Sequence, residues 1–285
     1  MSNGVSQQYL TRIYEQIEQV LKPLQLRCYI IGAFATQFWY DQAGNIPYRG
    51  TRDIDIVIGV PDYDYYDTVL DKLTATQLKE AHKRGRHTLV LPDATVIDLL
   101  PFHDWSLERS GYKVSATWGG PGELIGFAEV ANKGLREYSV AGRVVAAASP
   151  AAIIGLKLIA LDDRPENRLK DAADVGQIIR YYADLESDTI YEHHLDLFGV
   201  DEINWGTIGR QVLGRELRSV FASDQSLVNR LDRIMQDAVQ EEVSWIRHLA
   251  QGFSSDSARA IEQLQDVLTG FRQNWSPPQV IAKDE

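Results

Sequence analysis

Near the start of the chain, apolar residues recur at three- and four-residue steps, at Leu10, Ile13, Ile17, Val20 and Leu21. That spacing predicts one face of an amphipathic helix ending near Pro23. The pattern then changes period. Short apolar runs at 27–31, 53–58, 88–91 and 94–100, punctuated by Gly, Pro and Asp, predict strands, with a helix over 33–39 between the first two. A further β-like stretch at 138–147 runs into Ser149-Pro150, where a Ser N-cap and a Pro at the first helical position predict a helix start.

Beyond that point helical periodicity takes over. It is carried by Ile153, Leu156, Ala160 and Leu161, by Ala172, Val175, Ile179 and Tyr182 in a helix starting at Pro165, by Leu231, Ile234, Met235 and Ala238, and by Ala258, Ile261, Leu264, Leu268 and Phe271. The predicted class is α+β: a mixed β-sheet flanked by helices over 1–148, followed by an α-helical domain over 149–275. Residues 118–122 are expected to form a loop and 276–285 a flexible tail.

Two of the strand patterns are broken by acids. In Arg49-Gly50-Thr51-Arg52-Asp53-Ile54-Asp55-Ile56-Val57-Ile58, a strand would send the isoleucines into the core and project Asp53 and Asp55 together on the other face. Their Cα atoms would lie about 7 Å apart. Hard divalent cations such as Mg2+ accept oxygen ligands of this kind. Asp98 interrupts the apolar run Ala94-Thr-Val-Ile-Asp98-Leu-Leu100, and an ionised carboxylate there is costly to bury without a cation or donor. If the two strands are neighbours, Asp98 completes a three-carboxylate cluster. The alternative is that Asp98 caps a turn or pairs with an arginine, and that Asp53 and Asp55 face solvent at an edge.

Composition narrows the function classes. The chain has 285 residues, 44% of them apolar and 24% charged, enough for a large core and for two domains. Its formal charge of -11 does not suit non-specific coating of nucleic acid or anionic membrane. A single cysteine, Cys28, excludes an internal disulfide and a multi-thiolate zinc site. The amino terminus does not read as a signal peptide and no run reaches the ~18 apolar residues of a membrane span, so a cytoplasmic location without membrane partners is expected.

Upstream of the acid pair, Ile30-Ile31-Gly32-Ala33 leaves a strand and enters a helix, a junction at which backbone N–H groups can meet phosphate. A glycine turn, a helix, an Asp-x-Asp strand and a later strand with a third acid together resemble the nucleotidyltransferase superfamily. Within it, the chain is most similar to the AbiEii/AbiGii-type abortive-infection toxins of type IV toxin–antitoxin systems. The residues behind this are Gly32-Ala33, 49–55, Asp98, Ser149-Pro150 with Leu156-Lys157 and Ala160, and Arg164-Pro165 with Arg168, Lys170-Asp171 and Asp174. The likeness spans about residues 25–185, with a fainter Leu213-Gly-Arg-Glu216.

The resemblance implies a nucleotidyltransferase fold and Mg2+-dependent transfer of a nucleoside monophosphate from a nucleoside triphosphate to an acceptor hydroxyl. In related toxins that acceptor is the tRNA 3′ end, and a cognate antitoxin is a further expected partner. It also implies metal ligation by Asp53, Asp55 and Asp98, nucleotide binding by Gly32, Ala33, Thr51, Arg52 and Lys157, and catalytic roles for the three acids with Lys157 and Asp171. Ala33 stands where the family usually has Ser or Gly. From the residues alone, Lys157 equally reads as a snorkelling cation, and Arg168 and Asp171 as an i,i+3 ion pair. The rival functions are modification of a small molecule or a protein, and a non-catalytic nucleotide- or antitoxin-binding module. The basic segment Lys79, His82, Lys83, Arg84, Arg86 and His87 is a candidate RNA contact or a solvated turn.

Overall fold

The computed structural model of the protein describes residues 5–42, 46, 50–118, 124–199, 204–240, 243–273 and 275. Arg49 of the acid-pair motif, residues 119–122 of the expected loop and the 276–285 tail lie outside them. The chain divides into two compact units, Met1–Ser149 and Pro150–Glu285.

The first unit is α+β. Its elements are α1 (Gln7–Leu21), β1 (Cys28–Ile30), α2 (Gly32–Gln42), β2 (Asp53–Val60), α3 (Tyr63–Ala75), β3 (His82–Lys83), β4 (Thr88–Val90), β5 (Val96–His103), α4 (Phe127–Lys133), β6 (Leu135–Val140) and β7 (Arg143–Ala148). The strands form one mixed sheet in the order β3-β4-β5-β2-β1-β7-β6. β2 lies inside it, antiparallel to β1 and parallel to β5. Parallel neighbours need a long crossover, supplied here by α3 and the β3–β4 hairpin. Ile54, Ile56 and Ile58 are fully buried from one face of β2, each stabilising by roughly 1.5–3 kcal/mol.

Two elements depart from the sequence pattern. The stretch expected as one strand over 138–147 belongs to the β6–β7 hairpin, turned at Ala141 and Gly142, both with positive φ (49° and 81°). That is the sign pattern of the tight hairpin turn whose twist suits paired strands. α3 carries Tyr63, Tyr66, Val69, Leu70 and Leu73 at helical spacing, and the Asp62 carboxylate caps it by accepting from the Tyr65 N–H at 2.7 Å.

The second unit is helical: α5 (Pro150–Asp163), α6 (Leu169–Leu185), α7 (Ser187–His193), α8 (Trp205–Phe221), α9 (Gln225–Val239), α10 (Ile246–Phe253) and α11 (Ser257–Arg272). Pro150 opens α5 as expected from its preset φ. The helix expected from Pro165 instead begins at Leu169, after a separate 3-10 turn over Pro165–Asn167. Two helix pairs cross at glycine. A Cβ on Gly176 or Gly252 would overlap the carbonyl of Leu249 or Ala173 between α6 and α10, and one on Gly214 or Gly270 that of Val267 or Gln211 between α8 and α11. Among the described residues, no helix is long and apolar enough to cross a membrane.

Candidate active site

The acids of the first unit form a row across the sheet. Asp53 and Asp55 are two apart on β2 and therefore share a face, and Asp55 is the direct register partner of Asp98 on β5. Thr88 on β4 is in turn the register partner of Asp98. On the other side, the Ile31 N–H donates to the Asp55 carbonyl at 3.0 Å, which brings the first turn of α2 against Asp55. Thr88, Asp98, Asp55 and the Ile31-Gly32 junction thus come from four chain segments, with neighbouring strands about 4.8 Å apart.

Burial explains where this face is open. Asp53 is exposed, and Asp55 and Asp98 are half-buried, whereas Val57 and Gly59 farther along the same face of β2 are buried. Gly32 has φ +68°, a left-handed conformation, and a Cβ there would overlap Oδ2 of Asp55. Glycine is required on both counts, and it lets the backbone at the head of α2 approach the carboxylate. Ala33 follows as the next helical residue. Thr51 acts locally, its Oγ1 accepting from the Asp53 N–H at 3.0 Å, and the Arg52 carbonyl accepts from the Val96 N–H at 3.0 Å at the head of the β2–β5 ladder.

Asp98 does not join its neighbours in a closed cage. The Thr88 hydroxyl donates to Asp98 Oδ1 at 2.6 Å, and among the described residues no three His, Cys, Asp or Glu side chains are grouped to hold a metal ion. Asp98 is the register partner of Asp55 on β5, and on β2 the Asp53–Asp55 pair shares one face. That pair still suits Mg2+, which keeps several waters and is commonly held by one or two carboxylates together with substrate phosphates.

Next to Thr88, His87 is held at both ring nitrogens. Tyr66 gives its only hydroxyl proton to the Leu99 carbonyl at 2.6 Å, so His87 Nδ1–H donates to the Tyr66 oxygen and Nε2 accepts from Tyr63, both at 3.2 Å. These surroundings disfavour the charged form of the ring. Burial first, and then Arg86, hold its pKa below the usual histidine value. Two cations of the basic segment around it are answered by α3: Lys83 pairs with Asp71 at 2.7 Å, and Arg86 lies 3.6 Å from Asp67 with its guanidinium 4.5 Å from the Tyr63 ring centroid.

The second unit holds the other predicted site residues together. Lys157 Nζ lies 2.5 Å from Asp171 and 2.9 Å from Asp174. Its side chain is 11% exposed, so the snorkelling alternative does not hold. Burial opposes the charge, but Asp174 and Asp171 outweigh it and raise the Lys157 pKa. Arg168 approaches Asp171 at 3.6 Å, the i,i+3 pair expected from spacing. Arg210 pairs with Asp266 at 2.9 Å, and Arg215 is buried on Asp196 at 2.5 Å, so neither offers a free cation.

Thr88 and the pairing role of Asp174 were not anticipated. Both had a signal: a hairpin turning near 93 puts Thr88 opposite Asp98, and Asp174 lies one helical turn beyond Asp171.

No family model and no curated protein matches the chain. Two solved structures are similar to it. One is the crystal structure of an antigenic nucleotidyltransferase-like protein from Paracoccidioides brasiliensis, 19% identical over 77% of this chain and 91% of that one, with a TM-score of 0.39. The other is the solution structure of the antibiotic-resistance factor ANT(2'')-Ia, 14% identical over 80% of this chain and 97% of that one, with a TM-score of 0.40.

Proposed function

We propose that the chain is a Mg2+-dependent nucleotidyltransferase that moves a nucleoside monophosphate from a nucleoside triphosphate to an acceptor hydroxyl. The observation that carries this reading is the row Asp98–Asp55–Gly32, with Asp53 beside it on the same face. Two carboxylates opposite each other on paired strands repel. A chain gains from that arrangement where the negative field is answered by a cation arriving with substrate.

Asp53 and Asp55 would hold Mg2+, which supplies charge neutralisation for the triphosphate when bound. The backbone at Gly32 and Ala33 would receive a phosphate at the head of α2. Asp98 would take the proton of the acceptor hydroxyl as its oxygen attacks the α-phosphorus and pyrophosphate leaves with the electrons of the broken P–O bond. Little covalent chemistry is asked of the protein beyond in-line positioning. The resemblance gives Lys157 and Asp171 nucleotide-binding and catalytic roles, and the two form an ion pair within the second unit.

For the acceptor we take the tRNA 3′ end, in a toxin paired with an antitoxin, on the resemblance of the acid-pair strand and the Lys157 and Asp171 helices to that toxin family. The test is incubation with Mg2+ and each nucleoside triphosphate labelled at the α-phosphate, against total RNA, protein and small hydroxyl compounds. Label should enter tRNA and should be lost with Asp53→Ala or Asp55→Ala. Label in protein or a small molecule would move the acceptor, and undiminished transfer by both variants would remove the acid pair from the reaction.

A further inference from the structure

We propose that Thr88 is a positioning residue that withholds Asp98 from the metal and keeps it as a proton acceptor. This deepens the nucleotidyltransferase reading and rests on it for the catalytic half of the claim, but not for the metal half.

The argument begins in the ladder. The His87 carbonyl accepts from the Leu99 N–H at 2.7 Å, so residues 87 and 99 form a hydrogen-bonded pair of the β4–β5 ladder. The adjacent pair, Thr88 and Asp98, is therefore of the non-hydrogen-bonded kind, in which side chains approach most closely. The 2.6 Å bond from Thr88 Oγ1 to Asp98 Oδ1 follows from that placement. A threonine hydroxyl has one proton and its χ1 is stiff, so the bond commits both the donor and its direction.

The order of strands gives the bond its meaning. β5 lies between β4 and β2, so Thr88 and Asp55 flank Asp98 from opposite sides. Thr88 draws the carboxylate toward β4 and away from Asp55. Among the described residues, Asp98 makes no other hydrogen bond, so one oxygen is held and the second is left to accept a proton. This also accounts for Asp53, Asp55 and Asp98 not being grouped as three metal ligands among the described residues. With Thr88 removed, Asp98 is free to rotate toward Asp53 and Asp55 and become a third metal ligand.

The test uses the full chain and Mn2+ alone as the probe, with binding followed by electron paramagnetic resonance. Thr88→Val keeps shape and strand preference but loses the hydroxyl. It should bind Mn2+ roughly tenfold more tightly than the natural protein. Thr88→Ser should restore the natural affinity, and adding Asp98→Asn to Thr88→Val should abolish the gain. In the transfer assay, Thr88→Val should lower kcat roughly tenfold or more while KM for the triphosphate changes less than about twofold.

Mn2+ affinity unchanged in a Thr88→Val protein with natural circular dichroism and Tm would overturn the proposal, as would no Mn2+ binding by either protein. If the natural protein transfers no nucleotide, the functional reading fails, and the Mn2+ comparison still decides whether Thr88 withholds Asp98.

Discussion

Gly32 stands so close to Asp55 that a Cβ on it would overlap the carboxylate Oδ2. Gly32→Ala therefore has two costs. The left-handed φ of +68° disfavours any L side chain by about 1–2 kcal/mol, and the Asp55 carboxylate must move. The expected result is a folded protein with a lower Tm and weakened Mn2+ binding. An unchanged Tm would mean that the junction relaxes freely.

Asp55 should show its metal role in the melting temperature. Asp55→Asn removes one carboxylate of the Asp53–Asp55 pair and should lose transfer. Mg2+ should raise the Tm of the natural protein and leave that of Asp55→Asn unmoved. Thermal melts with and without Mg2+ check this, and an equal Mg2+ shift in both proteins would contradict metal binding by Asp55.

Lys157 neutralises two carboxylates inside the helical unit. Lys157→Met removes the buried cation that both carboxylates share, Asp171 keeping Arg168, and should cost roughly 3–5 kcal/mol in urea denaturation. The pH dependence follows from the raised pKa. Stability contributed by Lys157 is fully present below its ordinary value of 10.5 and is lost as pH rises through the higher folded value. The natural protein should lose this contribution in strong alkali, and Lys157→Met should lack that loss.

His194 predicts acid sensitivity. Burial first, and then Arg215, lower its pKa from 6.5 to about 4. Its contribution is present above pH 6.5 and is lost as pH falls toward 4, because the unfolded state takes up the proton earlier. His194→Gln should be less stable at pH 7.5, and its deficit should shrink over that window. Parallel denaturation curves at every pH would show that His194 does not titrate in this way.

Legibility in the sequence followed the strength of local pattern. α1, β2, β5, α9 and α11 have a clean period, and their residues announced them. α3 was hidden because its tyrosines read as β-formers, although Asp62 is a visible cap. α8 was hidden by Gly206, Gly209 and Gly214, which weaken helix propensity; Gly209 and Gly214 are used instead for close approach to Ala183 and to α11. In the site, Asp53, Asp55 and Asp98 were legible as charges inside apolar runs. The Thr88 bond was not, because it depends on which strand lies beside β5 and at what register. The partners of Lys157 depend in the same way on how α5 meets α6.

The row across the sheet also bears on when the site can form during the protein's own synthesis. Its members lie at positions 32, 55, 88 and 98, so none of the row exists until β2 has been flanked on one edge by a segment made earlier and on the other by one made later. Such non-local parallel pairing forms late relative to helices and tight hairpins. A ribosome-bound chain that has emerged only through α3 carries two of the acids but no assembled site. The site is therefore assembled only after β5 has been made.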